Sequence, residues 1–210
     1  GKFIQGESAL KLNFQKGCTV EFWLKKESFP DPAASETVVN IGTFPGKVPA
    51  NLETNLKISL SSSGGMPFHI TLNSGAIGIT DHQLVTDSMS AASVADNKWH
   101  HYSFQMVQEE TVLKIKLYVD GSFHSITTSD LGAIIPEIDS FMAGSIGCNL
   151  SDTTGNLTAS IDEFRFWKGK RDARQISRNF DQKVFASEIE EDNYTSRLGL
   201  YYKFNKPAIG

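Results

Sequence analysis

The chain has 210 residues, a net charge of -4, 40% hydrophobic and 10% aromatic content, and two cysteines. That length suits one large all-β domain, and the charge balance lacks the clustered Lys and Arg of a nucleic-acid footprint, so no nucleic-acid partner is expected. No apolar run approaches the roughly 18 residues that span a bilayer, so no membrane partner is expected either.

In chain order, Leu10, Leu12 and Phe14 alternate within Phe3 to Phe14 and predict a first strand, which Lys16-Gly17 ends. Cys18 and Cys148 are too few for a disulfide framework and are read as separate thiols, with a bridge as the alternative. Val20, Phe22 and Leu24 share one strand face, while Glu21, Trp23 and Lys25 share the other. Trp23 therefore stands opposite the core face, where it is either covered or open to a ligand. Pro30, Pro32 and the small residues after them mark a loop, and Val38 to Phe44 reads as the next strand. Leu56, Ile58 and Leu60, then Phe68, Ile70 and Leu72 beyond a Ser-Gly turn, predict a hairpin. Asp81 to Asp96 has little periodicity and predicts a long connection over a sandwich edge.

From Asn97 to Gly121 the chain predicts a second hairpin. Tyr102, Phe104 and Met106 alternate with polar residues in one arm, and Ile115, Leu117 and Val119 do so in the other. Asp120-Gly121 tolerates positive φ and turns the chain back into Phe123 to Thr127. Ser140 to Gly147 predicts a strand, followed by a polar loop from Asn149 to Asn156. The next strand puts Asp162 in phase with Phe164 and Phe166, and Glu163 with Arg165 as a same-face pair. Asp172, with Gln175 three residues on, predicts a capped helix running to about Lys183. The basic run Lys168, Lys170, Arg171, Arg174 and Arg178 reads as a solvated face. After an acidic stretch from Ser187 to Asp192, Leu198 to Phe204 predicts a closing strand beside the N-terminal one.

The segment Trp99-His100-His101-Tyr102, its charged turn, and Leu117-Tyr118-Val119-Asp120-Gly121 resemble the central hairpin of laminin-G-like domains in the concanavalin A-like lectin/glucanase superfamily. Thr19 to Lys25 is similar to the family's entry strand, and Ile161-Asp162-Glu163-Phe164-Arg165-Phe166-Trp167 to its acidic strand. The resemblance implies an all-β jelly-roll sandwich of two antiparallel sheets, with one short helix near the C-terminus. It spans 1–210 as a single domain, read as excised from a longer protein with further domains as partners. The closing Tyr201-Tyr202-Lys203-Phe204-Asn205 resembles laminin-G-like repeats of phage structural proteins.

Function is then expected to be non-catalytic recognition of a glycan or a protein surface, within an extracellular or virion-surface protein. A structural spacer of a phage or surface fibre is the alternative, and glycoside hydrolysis is the second. The hydrolase relatives carry acids spaced along one strand; here Glu137 and Asp139 match the first two, while Phe141 and Met142 stand where the last acid belongs. Trp23, Phe44, Phe68 and Phe123 are the candidate sugar-stacking aromatics. Calcium is the cofactor that the resemblance implies, with two registers open: Glu137 to Phe141, or the loop bearing Asn149, Ser151, Asp152 and Asn156. The second is preferred, because recognisable strands anchor both its ends, and its metal ligands would be Asn149, Asp152 and Asn156; an ordinary self-capping turn is the alternative. His100, in phase with Tyr102 and Phe104, is expected to be a hydrogen-bonded core histidine.

Overall fold

The computed structural model describes residues 10–31, 34–43, 49, 53–85, 88–138, 142–152, 154–182, 184 and 197–204. In chain order they form β1 (Cys18–Lys25), β2 (Glu36–Thr43), β3 (Thr54–Leu60), β4 (Phe68–Ser74), β5 (Ile77–Gln83), α1 (Ala91–Val94), β6 (Trp99–Glu109), β7 (Val112–Val119), β8 (Ser122–Asp130), β9 (Met142–Ile146), β10 (Ser160–Trp167), α2 (Ala173–Asn179) and β11 (Leu198–Tyr202). One sheet runs β11-β10-β1-β6-β7-β8 and the other β5-β4-β3-β2-β9, both antiparallel, packed as a jelly-roll sandwich. No helix among the described residues is long and apolar enough to cross a membrane.

The inward phase of each strand supplies the core. Val20, Phe22, Tyr102, Phe104 and Leu117 of the first sheet face Ile41, Leu56, Ile58, Phe68 and Ile70 of the second, all at most 2% exposed. The Phe68 ring lies 4.8 Å from Tyr102 and 5.0 Å from Phe104, centroid to centroid, and joins the two layers. Cys18 and Cys148 are free thiols, and burial pushes the Cys18 thiol far up from its ordinary pKa. A buried ion pair fixes one end of the sandwich: Lys26 Nζ donates to both Glu36 oxygens at 2.8 and 2.7 Å and to the Thr158 carbonyl at 3.1 Å.

The central hairpin forms as its period of two predicts, with Tyr102 opposite Val119 and Met106 opposite Ile115. Its second turn uses positive φ at both Asp120 (48°) and Gly121 (75°). At Gly121 a Cβ would also stand 2.5 Å from the Phe180 ring. Gly121→Ala is therefore expected to cost about 2 kcal/mol, part backbone strain and part collision. The collision is separable: in a Phe180→Ala background the same change should cost about half as much in denaturant titrations, and an equal cost would rule out the ring contact.

Several expectations are corrected. Of the first strand expected over Phe3 to Phe14, residues 3–9 lie outside the described residues, and from Leu10 to Phe14 there is no strand: only Leu12 bridges Ile138, although Leu12 and Phe14 are fully buried. The chain from Asp81 is not one long connection. Residues 77–83 form the edge strand β5, and Ser90 and Ser93 cap each other's backbone to start α1. β11 pairs with β10, and α2 ends at Asn179; the acidic stretch at 187–192 and residue 183 lie outside the described residues. A bulge in β10, where Glu163 takes φ 49°, breaks the phase of its strand. Asp162 therefore pairs with Trp23 on the outer face instead of following Phe164 inward, and its Oδ1 accepts from the Glu163 amide at 2.8 Å.

That outer face is covered by α2 and the segment leading into it. Arg171, 3% exposed, donates through Nη1 to both oxygens of the fully buried Glu21 at 2.7 and 2.8 Å, and through Nη2 to the Gln175 carbonyl. Arg165, 1% exposed, donates to the Asn179 and Gln182 carbonyls at 3.0 and 2.6 Å and to Glu163 Oε2 at 3.1 Å. Arg165 thus satisfies the Asn179 carbonyl, one that the end of the helix leaves without an intrahelical partner, while Arg171 ties the body of α2 to the sheet. Of the expected solvated basic run, Lys170, Arg174 and Arg178 are exposed, while Arg171 is an internal strut.

Candidate functional site

The three candidate aromatics among the described residues, Trp23, Phe68 and Phe123, do not form one platform. Trp23 packs under the end of α2, its ring 6.1 Å from Phe180 and its Nε1 donating to the Phe180 carbonyl at 3.2 Å. Phe68 is 1% exposed and belongs to the core, which leaves no face for a sugar. Phe123, 55% exposed, stands edge-on to Tyr118 at the margin of the six-stranded sheet. Phe44 lies outside the described residues.

The 149–156 loop brings Asn149 and Asp152 together through Thr154. Asn149 Nδ2 donates to Thr154 Oγ1 at 2.9 Å, and Asp152 Oδ1 accepts from the Thr154 amide at 3.0 Å and its hydroxyl at 2.8 Å. These bonds, the backbone one first, hold the exposed Asp152 carboxyl below its ordinary pKa. Asn149 Oδ1 accepts from Thr37 Oγ1 at 2.7 Å, and the Thr37 amide donates to the Gly155 carbonyl at 2.7 Å. The loop is thereby bolted to β2, and Asn156 is exposed beyond it. Calcium takes six to eight oxygens; here the one carboxylate and the Asn149 oxygen already serve the turn, so this donor set does not fit the ion. Among the described residues no group of three or more His, Cys, Asp or Glu is placed to hold a metal.

Glu137 pairs with Lys11 at 2.9 Å, a hydrogen bond that lowers its carboxyl pKa, and Asp139 lies outside the described residues. His100 is not a core histidine. It is part-exposed at the sandwich end, between Asp120 Oδ2 at 2.8 Å and Asp96 Oδ2 at 3.2 Å. Burial lowers its pKa, but the hydrogen bonds and charges of the two aspartates outweigh this, and the net direction is upward. The buried histidine is His101, 1% exposed, between Trp23 at 5.6 Å and Phe180 at 5.7 Å.

The loop's role emerges from what lies beside it. Leu150 and Ser151 form one wall of a cleft of about 370 Å³ on the outer face of the five-stranded sheet. Cross-strand pairing sets Gly42, Asn55, Asn73 and Gly78 side by side across β2, β3, β4 and β5, with Asn40 in the neighbouring row. The two flanking glycines add no side chain, so the amides stand between bare backbone. Thr43, Thr54 and Glu53 complete the lining. Asn55 Oδ1 is buried without a hydrogen-bond partner, a cost of roughly 1–3 kcal/mol to the folded chain. The sequence does carry a signal of this site: asparagine is disfavoured in strands, yet Asn40, Asn55 and Asn73 all occupy outward strand positions. Only the topology shows that they converge.

A model of the Laminin_G_3 family, of the concanavalin A-like lectin/glucanases superfamily, matches residues 4–177. No curated protein matches the chain. Among solved structures, a protein from Bacteroides ovatus ATCC 8483 whose name proposes carbohydrate binding is 19% identical with a TM-score of 0.54, and the match covers 96% of this chain but 47% of that one. The chain thus spans about half the length of that relative. A heptameric SAP-like pentraxin from Limulus polyphemus is 13% identical, covering 80% of this chain and 70% of that one, with a TM-score of 0.47. The CBM40 of the Ruminococcus gnavus IT-sialidase is 14% identical, covering 78% and 83%, also with a TM-score of 0.47. With the family model matched along 4–177 and two antiparallel sheets packed as a jelly roll, this chain belongs to the Laminin_G_3 family of the concanavalin A-like superfamily.

Proposed function

We propose that the chain is a non-catalytic glycan-recognition module of a larger extracellular or virion-surface protein, and that it binds sugar in the asparagine-lined cleft of the five-stranded sheet. The observation that carries this reading is the convergence of Asn40, Asn55 and Asn73 in a cleft whose lining is mostly amide and hydroxyl. Each side-chain amide offers both a donor and an acceptor, which matches the paired hydroxyls of a pyranose ring. The name of the Bacteroides ovatus relative points the same way. Glu53 is the one charged residue of the lining, and it repels sialic or sulfated sugars, so the ligand class is a neutral glycan. Calcium has no part in this binding.

Asn55→Ala separates binding from folding. Because the Asn55 oxygen is unpaired in the fold, its removal should leave the melting temperature unchanged or raised, while affinity for a neutral glycan falls about tenfold or more. Titration calorimetry beside a thermal melt checks both. Full affinity in the variant would move the site elsewhere.

A further inference from the structure

α2 is fixed to the six-stranded sheet at two separate places. Ahead of its first turn, the Arg171 amide donates to Thr19 Oγ1 at 3.0 Å, Thr19 Oγ1 donates to the Gly169 carbonyl at 3.1 Å, and the Arg171 side chain holds Glu21. At its end, Phe180 closes over β1 and β6. The Phe180 carbonyl accepts from Trp23 Nε1, and its ring lies 6.1 Å from the Trp23 ring and 5.7 Å from that of His101. The same ring covers Gly121, whose missing Cβ makes room for it.

Under that ring His101 is 1% exposed, and neither of its ring nitrogens has a hydrogen-bond partner among the described residues. The carboxylates that face this layer are already engaged. Glu21 on β1 is bonded to Arg171, and Asp162, beside Trp23 in β10, accepts from the Glu163 amide. Asp120, after β7, accepts from the His101 amide through Oδ1 and meets the His100 ring through Oδ2. Arg165 and Arg171 are buried cations of the same layer, Tyr118 of β7 stands one row away opposite Ser103, and Arg178 and Asp181 at the end of α2 are exposed. A proton on His101 therefore adds a third cation and a second N–H donor where no described acceptor is open. Water can supply the acceptors only if Phe180 leaves.

We propose that Phe180 over His101 is an acid-released latch: as pH falls below neutrality the imidazole takes up a proton, the end of α2 lifts, and Trp23 is uncovered. The segment ahead of α2 stays pinned by Thr19 and Arg171. Burial holds the closed-state imidazole at about 4 against its ordinary 6.5, so the open form gains as pH falls from about 6.5. Between pH 7.5 and pH 5 that difference raises the open-to-closed ratio about thirtyfold. The opening is local, because the contacts it breaks all lie at one end: the Phe180 ring, the Trp23 bond, and the Arg165 bonds to the Asn179 and Gln182 carbonyls. At neutral pH the latch hides an aromatic face that acid presents to solvent.

Native-state hydrogen exchange of the wild-type chain tests this, at pH 7.5 and pH 5 with intrinsic rates corrected and a series of low urea concentrations at each. Amides of residues 177–182 should be less protected than those of β6 and should exchange about thirtyfold faster at the lower pH. Their rates should not respond to urea, the mark of an opening that exposes little surface. His101→Phe keeps a ring beneath Phe180 and should abolish the pH response. Phe180→Ala leaves His101 open to water at both pH values, so its amides at 177–182 should exchange fast at both, with a response under about threefold. Exchange at 177–182 that follows β6 through the urea series would show that α2 leaves only with global unfolding and would overturn the latch. So would an acid response that persists in His101→Phe, or one of full size in Phe180→Ala.

Discussion

Glu21→Ala is expected to cost about 3–5 kcal/mol, the largest effect of any single change outside the apolar core. Glu21 is fully buried on the outer face of β1, and its carboxylate takes both bonds from Arg171 and lies 3.7 Å from Arg165. Removing it leaves two guanidinium groups in a nearly water-free layer with less than their full set of partners. Those arginines also donate to the Gln175, Asn179 and Gln182 carbonyls, so the loss propagates into the seating of α2. Strongly coupled partners fail together: Arg171→Met should cost a comparable amount, and the double variant Glu21→Leu/Arg171→Met should recover much of the loss, since an apolar pair avoids the desolvation that the ion pair carries. Urea denaturation measures all three. A single-variant cost below about 1 kcal/mol would show that the network is not what holds α2 against the sheet.

The second large effect is acid destabilisation through His101. Burial pushes this imidazole down from 6.5 to about 4, with Glu21 and Asp120 acting upward and Arg165 and Arg171 downward. Both ring nitrogens are buried without partners, against Trp23 and Phe180. The folded chain therefore binds a proton less readily than the unfolded chain. Its contribution is fully present above about pH 6.5 and is lost as pH falls from there towards about 4. By linkage the loss is about 2 kcal/mol on going from roughly pH 7.5 to pH 5. His100 works in the opposite sense: its raised pKa adds stability that is complete below about pH 6.5 and fades as pH rises through the higher folded value. In the lower window the drop therefore belongs to His101, and His101→Phe should flatten it in denaturant titrations at the two pH values. A variant that loses the same stability as the wild type would place the acid sensitivity elsewhere.

The parts of this molecule that were legible in its sequence are those governed by local rules. A period of two placed β1, the central hairpin and β10, and Asp120-Gly121 announced a turn that does take positive φ twice. Asp172 with Gln175 announced a capping box that forms as written. What stayed hidden depends on neighbours distant in the chain. Arg171 reads as surface until Glu21, 150 positions away, is folded against it. Asp162 reads as inward until the bulge at Glu163 shifts its phase. Phe68 alternates as well for a core as for a ligand face, and only the opposing sheet decides that it is core. The polar loop at 149–156 reads as a set of metal-ligand oxygens until the fold brings Thr37 to Asn149 Oδ1, which anchors the loop on β2 with Leu150 and Ser151 lining the cleft. The asparagines of the cleft come from three strands, and pairing alone brings Asn55 and Asn73 into one row with Asn40 in the next.

The most direct test of the central claim is a broad glycan array, probed with the wild-type chain in calcium and again in chelator, with Asn55→Ala beside it. The account predicts binding to neutral glycans of the same identity and strength in both buffers, and loss of those signals in the variant. Signals that vanish with chelator, signals unchanged in Asn55→Ala, or an array blank in both buffers would contradict it.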